Sequence, residues 1–105
     1  MKMTQLLYFK TVAEAGKISA AAKKLYVTAP AVSIAIANLE KELGVELFTR
    51  CSNRVVLNEQ GRTYLQYVNQ IFDELDTAKK TVRGMQVNIC DNFEESALTE
   101  SDSFV

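Results

Sequence analysis

The spacing of apolar residues in the first 44 positions predicts three helices. In the segment 3–15 the apolar residues recur every three or four positions and therefore share one helix face: Met3, Leu6, Phe9, Val12 and Ala13. Gly16 is the expected end of this helix, because glycine readily adopts the left-handed conformation that closes helices. Ser19 is a candidate hydroxyl cap for a second, alanine-rich helix over residues 19–26.

A third helix is expected to begin at Thr28, whose hydroxyl can cap it, with Pro30 just inside its first turn. Its inward-facing apolar residues step by four, three and four positions: Val32, Ile36, Leu39 and Leu43. Gly44 then ends it. The second and third helices are therefore joined by a very tight turn, which is the arrangement of a helix-turn-helix unit.

After Gly44 the pattern changes from a helical period to short strands. The segments 46–50 and 54–57 are rich in β-forming residues and are separated by Cys51-Ser52-Asn53, which predicts a small hairpin, or wing. The fold class expected from this order is mainly α: a winged helix-turn-helix of three helices and a two-stranded wing, followed by a long linker helix for dimerisation.

The linker helix is expected to begin at the cap Asn58 and to run to about residue 87. Its apolar positions alternate steps of four and three, as in a coiled coil: Tyr64, Val68, Ile71, Leu75, Ala78, Val82 and Met85. A helix of about 30 residues is roughly 45 Å long, and the small winged helix-turn-helix can cover only part of its apolar face. A partner helix is therefore expected. Residues 1–57 are thus assigned to the winged helix-turn-helix, 58–87 to dimerisation and 88–105 to an acidic, disordered tail.

The formal net charge of −1 divides unevenly along the chain. Residues 1–87 contain 12 basic and 8 acidic side chains, 12 − 8 = +4, whereas residues 88–105 contain 0 − 5 = −5. The total disfavours a nucleic-acid partner, but the first 87 residues taken alone do not. Phosphate contacts are expected from Arg50 and Arg54 at the wing and from three lysines around the helix-turn-helix: Lys17, Lys23 and Lys24.

Several classes of protein are disfavoured by what the chain lacks. It has no histidine, which argues against Ser-His-Asp catalysis and most zinc sites, and its two cysteines suit a reduced, cytoplasmic protein. The longest run without charge, residues 25–39, is shorter than the ~20 apolar residues of a membrane span. We therefore expect a non-enzymatic protein without cofactor or metal.

Base contacts would come from polar residues on the outer face of the third helix: Thr28, Ser33 and Asn38.

The stretch from Gln5 to Gly61 resembles the N-terminal DNA-binding domain of LysR-type transcriptional regulators. The resemblance rests on these residues in combination: Phe9, Val12, Ala13, Gly16, Ser19, Ala21, Ala22, Leu25, Pro30, Ala31, Val32, Ser33, Ile36, Leu39, Glu40, Leu43, Gly44, Leu47, Phe48, Arg50, Leu57 and Gly61. It implies a winged helix-turn-helix, a dimerising linker helix, and binding of double-stranded operator DNA as dimers or tetramers. It also adds Ala29, Pro30 and Ile34 to the groove-facing positions.

The chain departs from the family pattern in its third helix. Ala29 stands where the family usually has glutamine, and the residues Ile34, Ala35 and Ala37 replace the usual Arg, Gln or Lys. Those longer side chains hydrogen-bond to bases, each bidentate pair contributing ~1–3 kcal/mol of discrimination. An alternative is therefore an interaction module that forms heterodimers with full-length relatives through the linker helix. The effector-binding domain expected after that helix is not found in this sequence.

Overall fold

The computed structural model describes the backbone of residues 1–93 and the side chains of residues 1–85. Its elements follow the predicted order: α1 (Met3–Ala15), α2 (Ile18–Leu25), α3 (Ala29–Leu43), β1 (Phe48–Cys51), β2 (Arg54–Leu57) and α4 (Glu59–Phe93). Residues 1–69 form one compact unit, and a second unit begins at Gln70 within α4. The mainly α, winged helix-turn-helix architecture is confirmed.

The first two helices are joined by a two-residue connection that differs from the prediction. Gly16 adopts a left-handed conformation (φ 78°), and its N–H donates to the Val12 carbonyl at 2.9 Å, as expected of a helix end. Ser19 is not the cap of α2, however. Because Lys17 is already extended and its carbonyl accepts the Ala21 N–H at 3.1 Å, α2 begins at Ile18 without any side-chain cap.

The turn between α2 and α3 sets the geometry of the helix-turn-helix. The two helices meet at 107°, within the usual range for this motif. Tyr26 closes α2 in a left-handed conformation (φ 59°), and the Val27 N–H donates to the Ala22 carbonyl at 3.1 Å. The Thr28 hydroxyl accepts the Ala31 N–H at 3.2 Å, so the predicted cap of α3 is confirmed.

The wing is a hairpin in which Phe48 pairs with Leu57 and Cys51 pairs with Arg54. Cys51 therefore belongs to β1 rather than to the turn, which consists of Ser52 and Asn53 alone. Ser52 has a positive φ of 54°, the sign required at the first position of a type II′ turn. The outer edge of β2 is joined to the connection between α1 and α2, because the Val55 N–H donates to the Gly16 carbonyl at 3.0 Å.

The core of the first unit is centred on Phe9, which has no exposed surface. Its ring lies 5.5 Å from the ring of Phe48 and 5.4 Å from that of Tyr64, in tilted and edge-on arrangements that aromatic pairs favour. Helix, wing and linker residues thus share one core. Its buried members are Leu6, Phe9, Val12, Ala21, Ala22, Val32, Ile36, Leu39, Leu47, Phe48, Val55 and Val68.

Helix α4 begins as predicted and ends later than predicted. The Asn58 side-chain oxygen accepts the Gly61 N–H at 2.7 Å, which confirms Asn58 as the cap. The helix continues past residue 87 to Phe93, and residues 88–93 contain neither Pro nor Gly to stop it. Residues 88–93, predicted as the start of the tail, thus belong to the backbone of α4, and residues 94–105 lie outside the described residues.

No single helix within the described residues has the length and apolar character to cross a membrane. The pair α2 and α3 meets those two requirements only when both helices are taken together across their 107° bend.

Candidate nucleic-acid interface

The outer face of α3 is the first candidate surface. Because Val32, Ile36 and Leu39 are buried, the 3.6-residue period turns the opposite side of the helix to solvent. The exposed residues on that side are Pro30, Ala31, Ile34, Ala37, Asn38 and Lys41. Ile34 is the largest apolar side chain among them and is 61% exposed.

The other α3 residues predicted to bind DNA lie at the edges of this face. Thr28 is exposed, but its hydroxyl is engaged in capping the helix. Ala29 and Ser33 are half-buried. Of the predicted polar base contacts, Asn38 thus has the most accessible side chain without another hydrogen-bonding role among the described residues.

The positive charge is confined to the first unit. Residues 1–69 contain 9 basic and 5 acidic side chains, 9 − 5 = +4, whereas residues 70–85 contain 3 − 3 = 0. Three of the five acids already have partners: Glu14 pairs with Lys10, Glu42 pairs with the N-terminal ammonium, and the Glu40 carboxylate accepts the Leu47 N–H at 2.8 Å.

The five cations predicted to contact phosphates are all accessible to a ligand. They are exposed and, within the described part of the chain, form no ion pair: Lys17, Lys23, Lys24, Arg50 and Arg54. Lys23 and Lys24 occupy the last turn of α2, next to the turn that leads into α3. Exposed, unpaired Lys and Arg side chains of this kind are suited to contact phosphates.

The two wing arginines lie on opposite faces of the hairpin. Arg50 pairs with Val55 and Arg54 pairs with Cys51, and since paired residues share a face while successive residues alternate, the arginines point to different sides. Arg54 lies over the connection between α1 and α2, since a Cβ placed on Gly16 would be 3.8 Å from its guanidinium nitrogen. Arg54 thus lies beside the α1–α2 connection, to which Lys17 also belongs.

Arg50 has different surroundings. It lines a surface depression of about 300 Å³ together with Glu40 and Glu46. Two acidic neighbours reduce the attraction of Arg50 for a phosphate. Sequence reasoning assigned phosphate contact to both arginines and an acidic partner in the body as an alternative for Arg50; the structure gives the two arginines different surroundings.

The predicted dimerisation seam is divided by the fold. Val68 has no exposed surface, and the half-buried Tyr64 packs its ring on Phe9. Val68 is therefore a core residue that no partner can contact, which removes it from the seam. The remaining positions are exposed in the single chain: Ile71, Leu75, Ala78, Val82 and Met85. Their four large side chains are between 41% and 55% exposed.

Two further features concern residues near these surfaces. Burial raises the pKa of the Tyr64 phenol, and the negative charge of Glu42 raises it further. In residues 1–85, no group of three His, Cys, Asp or Glu side chains is arranged to hold a metal ion.

Sequence reasoning gave no role to Tyr26, which the structure places in the helix-turn-helix with 94% of its surface exposed. A left-handed conformation is unusual for an aromatic residue. The sequence indicated that a residue other than Gly or Asn must adopt this conformation, because neither lies between α2 and α3 to close the second helix.

Comparison with known proteins decides the family. The family described as bacterial regulatory helix-turn-helix protein, lysR family, matches residues 3–62. This chain belongs to the LysR family. It is 34% identical over 84 residues to a probable RuBisCO transcriptional regulator of Guillardia theta, and 39% identical over 92 residues to the regulator SoxR of Arthrobacter. These alignments cover 80% and 88% of this chain but only 27% and 30% of the relatives, so the chain spans less than a third of their length.

Solved LysR-family structures have the same fold. The DNA-binding domain of CbnR in complex with DNA superposes with a TM-score of 0.76 at 34% identity, covering 81% of this chain and 98% of that one. The BenM domain bound to catB site 1 DNA gives a TM-score of 0.79 at 31% identity, covering 84% and 95%. The region shared with these proteins is therefore nearly the whole of a LysR-family domain that has been solved with DNA.

Proposed function

We propose that this LysR-family chain is a cytoplasmic transcriptional regulator that binds operator DNA, with α3 in the major groove. The observation that supports this most is the exposed outer face of α3 next to unpaired cations on α2. An α-helix fits the major groove, and cations beside it position the protein on the phosphates. Neighbouring structures solved with DNA support the same assignment.

Within this proposal, residues 1–57 bind DNA, and Lys17 and Lys24 add phosphate contacts to a surface formed by nine predicted residues: Lys23, Thr28, Ala29, Pro30, Ser33, Ile34, Asn38, Arg50 and Arg54. Among the wing arginines we assign the stronger phosphate contact to Arg54. It lies beside the α1–α2 connection that contains Lys17, whereas Arg50 shares a depression with Glu40 and Glu46.

The test is binding of a mixed-sequence duplex at low salt, followed by fluorescence anisotropy. Arg54→Ala is expected to weaken binding roughly 10- to 30-fold, since each subunit of a dimer loses one charge-assisted contact of about 1 kcal/mol. Arg83→Ala is the matched control, because Arg83 is also exposed but lies among residues 70–85, whose charges sum to zero. Equal effects of the two variants would contradict the role of Arg54, and no binding by the wild-type chain would contradict the function.

We further propose that residues 58–87 pair two chains, so that a dimer, or a pair of dimers, presents several α3 helices to one operator. The support is the stripe from Ile71 to Met85, which repeats at coiled-coil spacing and is exposed in the single chain. A stripe of this kind is costly to leave in water and is typical of an interaction surface.

The dimer is tested by solution mass from light scattering. Leu75→Lys is expected to shift the protein from dimer to monomer, because it places a charge in the apolar stripe. Thr77→Lys is the control, since it changes the charge equally at an exposed position off the stripe. A wild-type monomer, or a Leu75→Lys variant that remains a dimer, would contradict the proposed pairing.

A further inference from the structure

The size and position of Ile34 suggest what α3 recognises. Ile34 lies two residues from both Val32 and Ile36, which are buried, so at 100° per residue it points directly away from the core. It is 61% exposed although it is a large apolar side chain. No contact within its own unit requires an isoleucine there, and the core would be unchanged by a smaller residue.

The neighbours of Ile34 on the helix surface leave it as the most protruding group. The positions three and four residues away on the same face are Pro30, Ala31, Ala37 and Asn38, all exposed. Three of these are small or apolar and carry no side-chain donor. A helix inserted with this face toward bases would therefore make its first contact through the branched hydrocarbon of Ile34.

Only one group in the major groove complements such a side chain. Each base pair presents donors and acceptors there, and thymine alone among the unmodified bases adds an apolar group, the C5-methyl. We propose that Ile34 contacts a thymine C5-methyl, so that this protein selects T·A pairs by apolar contact within each half-site. Asn38, one turn further along the same face, can hydrogen-bond to adenine and extend the preference for A·T pairs.

Charge favours DNA over a protein as the occupant of this face. The apolar patch belongs to the unit with a net charge of +4, and unpaired Lys23 and Lys24 lie on the neighbouring helix. A polyanion is therefore attracted to the surroundings of the patch, whereas an apolar protein surface gains nothing from them. The inference rests on the proposed function and specifies which bases it selects.

The test uses the full chain and compares thymine with deoxyuridine, which pairs identically but lacks the C5-methyl. A binding site is first selected from a randomised duplex pool, and each thymine is then replaced singly by deoxyuridine. At one thymine in each half-site, loss of the methyl contact is expected to weaken binding about fourfold. Ile34→Ala is expected to bind the thymine site as weakly as the wild type binds a site that carries deoxyuridine at this thymine in both half-sites, and to show no further loss on replacement.

Val45→Ala is the matched control, since Val45 is also an exposed aliphatic residue but lies beyond the end of α3. It is expected to preserve the full difference between thymine and deoxyuridine. Wild-type binding that is equal for both bases at every position would overturn the inference and leave DNA binding intact. Discrimination that persists in Ile34→Ala would overturn it as well. Failure to bind any duplex would instead overturn the proposed function, and the inference with it.

Discussion

Replacing Gly61 by Ala tests how closely the start of α4 packs on the segment that leads into the wing. A Cβ at this position would lie 2.1 Å from the Leu47 carbonyl oxygen and 2.8 Å from a methyl of Leu57, whereas ordinary contacts are 3.4–4 Å. The Leu47 carbonyl must therefore move by about 1 Å or more if Gly61 is replaced by Ala. It cannot move freely, because it accepts the Asn58 N–H at 3.0 Å and the Leu47 side chain is buried.

The expected cost of Gly61→Ala follows from these contacts. Overpacking costs typically ~1–3 kcal/mol, and a weakened Asn58 hydrogen bond adds about 1 kcal/mol, so we expect a loss of about 3 kcal/mol or more in the free energy of unfolding. The assay is urea denaturation followed by circular dichroism at one fixed protein concentration, because dimerisation makes stability depend on concentration.

Gly84→Ala is the control in the same helix. No atom lies within 4 Å of a Cβ placed there, so the substitution is expected to raise stability by up to about 1 kcal/mol through helix propensity. If Gly61→Ala were as stable as the wild type, the close approach of α4 to the Leu47 carbonyl would be wrong.

Two other residues give predictions about stability. Tyr26→Gly is expected to stabilise the chain by up to about 1 kcal/mol, because glycine relieves the left-handed strain and the exposed ring packs on nothing; a loss of stability in the same urea assay would contradict this. Tyr64 has a pKa raised above 10.0, so its contribution is fully present below about pH 10 and is lost as the pH rises through the raised pKa. Tyr64→Phe is expected to lose less stability on alkaline titration, and an unchanged alkaline loss would refute the assignment.

Local cap chemistry made most helix ends predictable. Thr28, Gly44 and Asn58 were placed from the residue types that caps require, and the structure bears out all three. Ser19 failed because a good cap residue also needs the right backbone. Here the left-handed Gly16 and the extended Lys17 complete the change of direction before Ser19 is reached.

The faces of the wing were harder to predict, since they depend on the length of one turn. If the turn comprised residues 51–53, Arg50 and Arg54 would be opposite each other on one face. The actual turn is two residues long, which pairs Arg54 with Cys51 and places the arginines on opposite faces. A difference of one residue reverses which side of a strand each side chain occupies.

The apolar face of α4 could be predicted from the heptad spacing, but the surface that buries each of its residues could not. The same four-three spacing includes Val68, which the core of the first unit buries, and Leu75, which is 46% exposed. Periodicity identifies an apolar face without identifying its partner. The boundary between core and seam therefore required the fold.

The central claim is that this LysR-family chain binds DNA through unpaired cations around α3, and the salt dependence of binding tests it most directly. Arg50 is left out because it lies beside Glu40 and Glu46. The other four predicted phosphate contacts in each subunit, Lys17, Lys23, Lys24 and Arg54, give eight phosphate contacts in a dimer. The logarithm of the binding constant is then expected to fall with the logarithm of salt concentration with a slope of about −7. A slope near zero, or no binding to duplex DNA at low salt, would contradict the account.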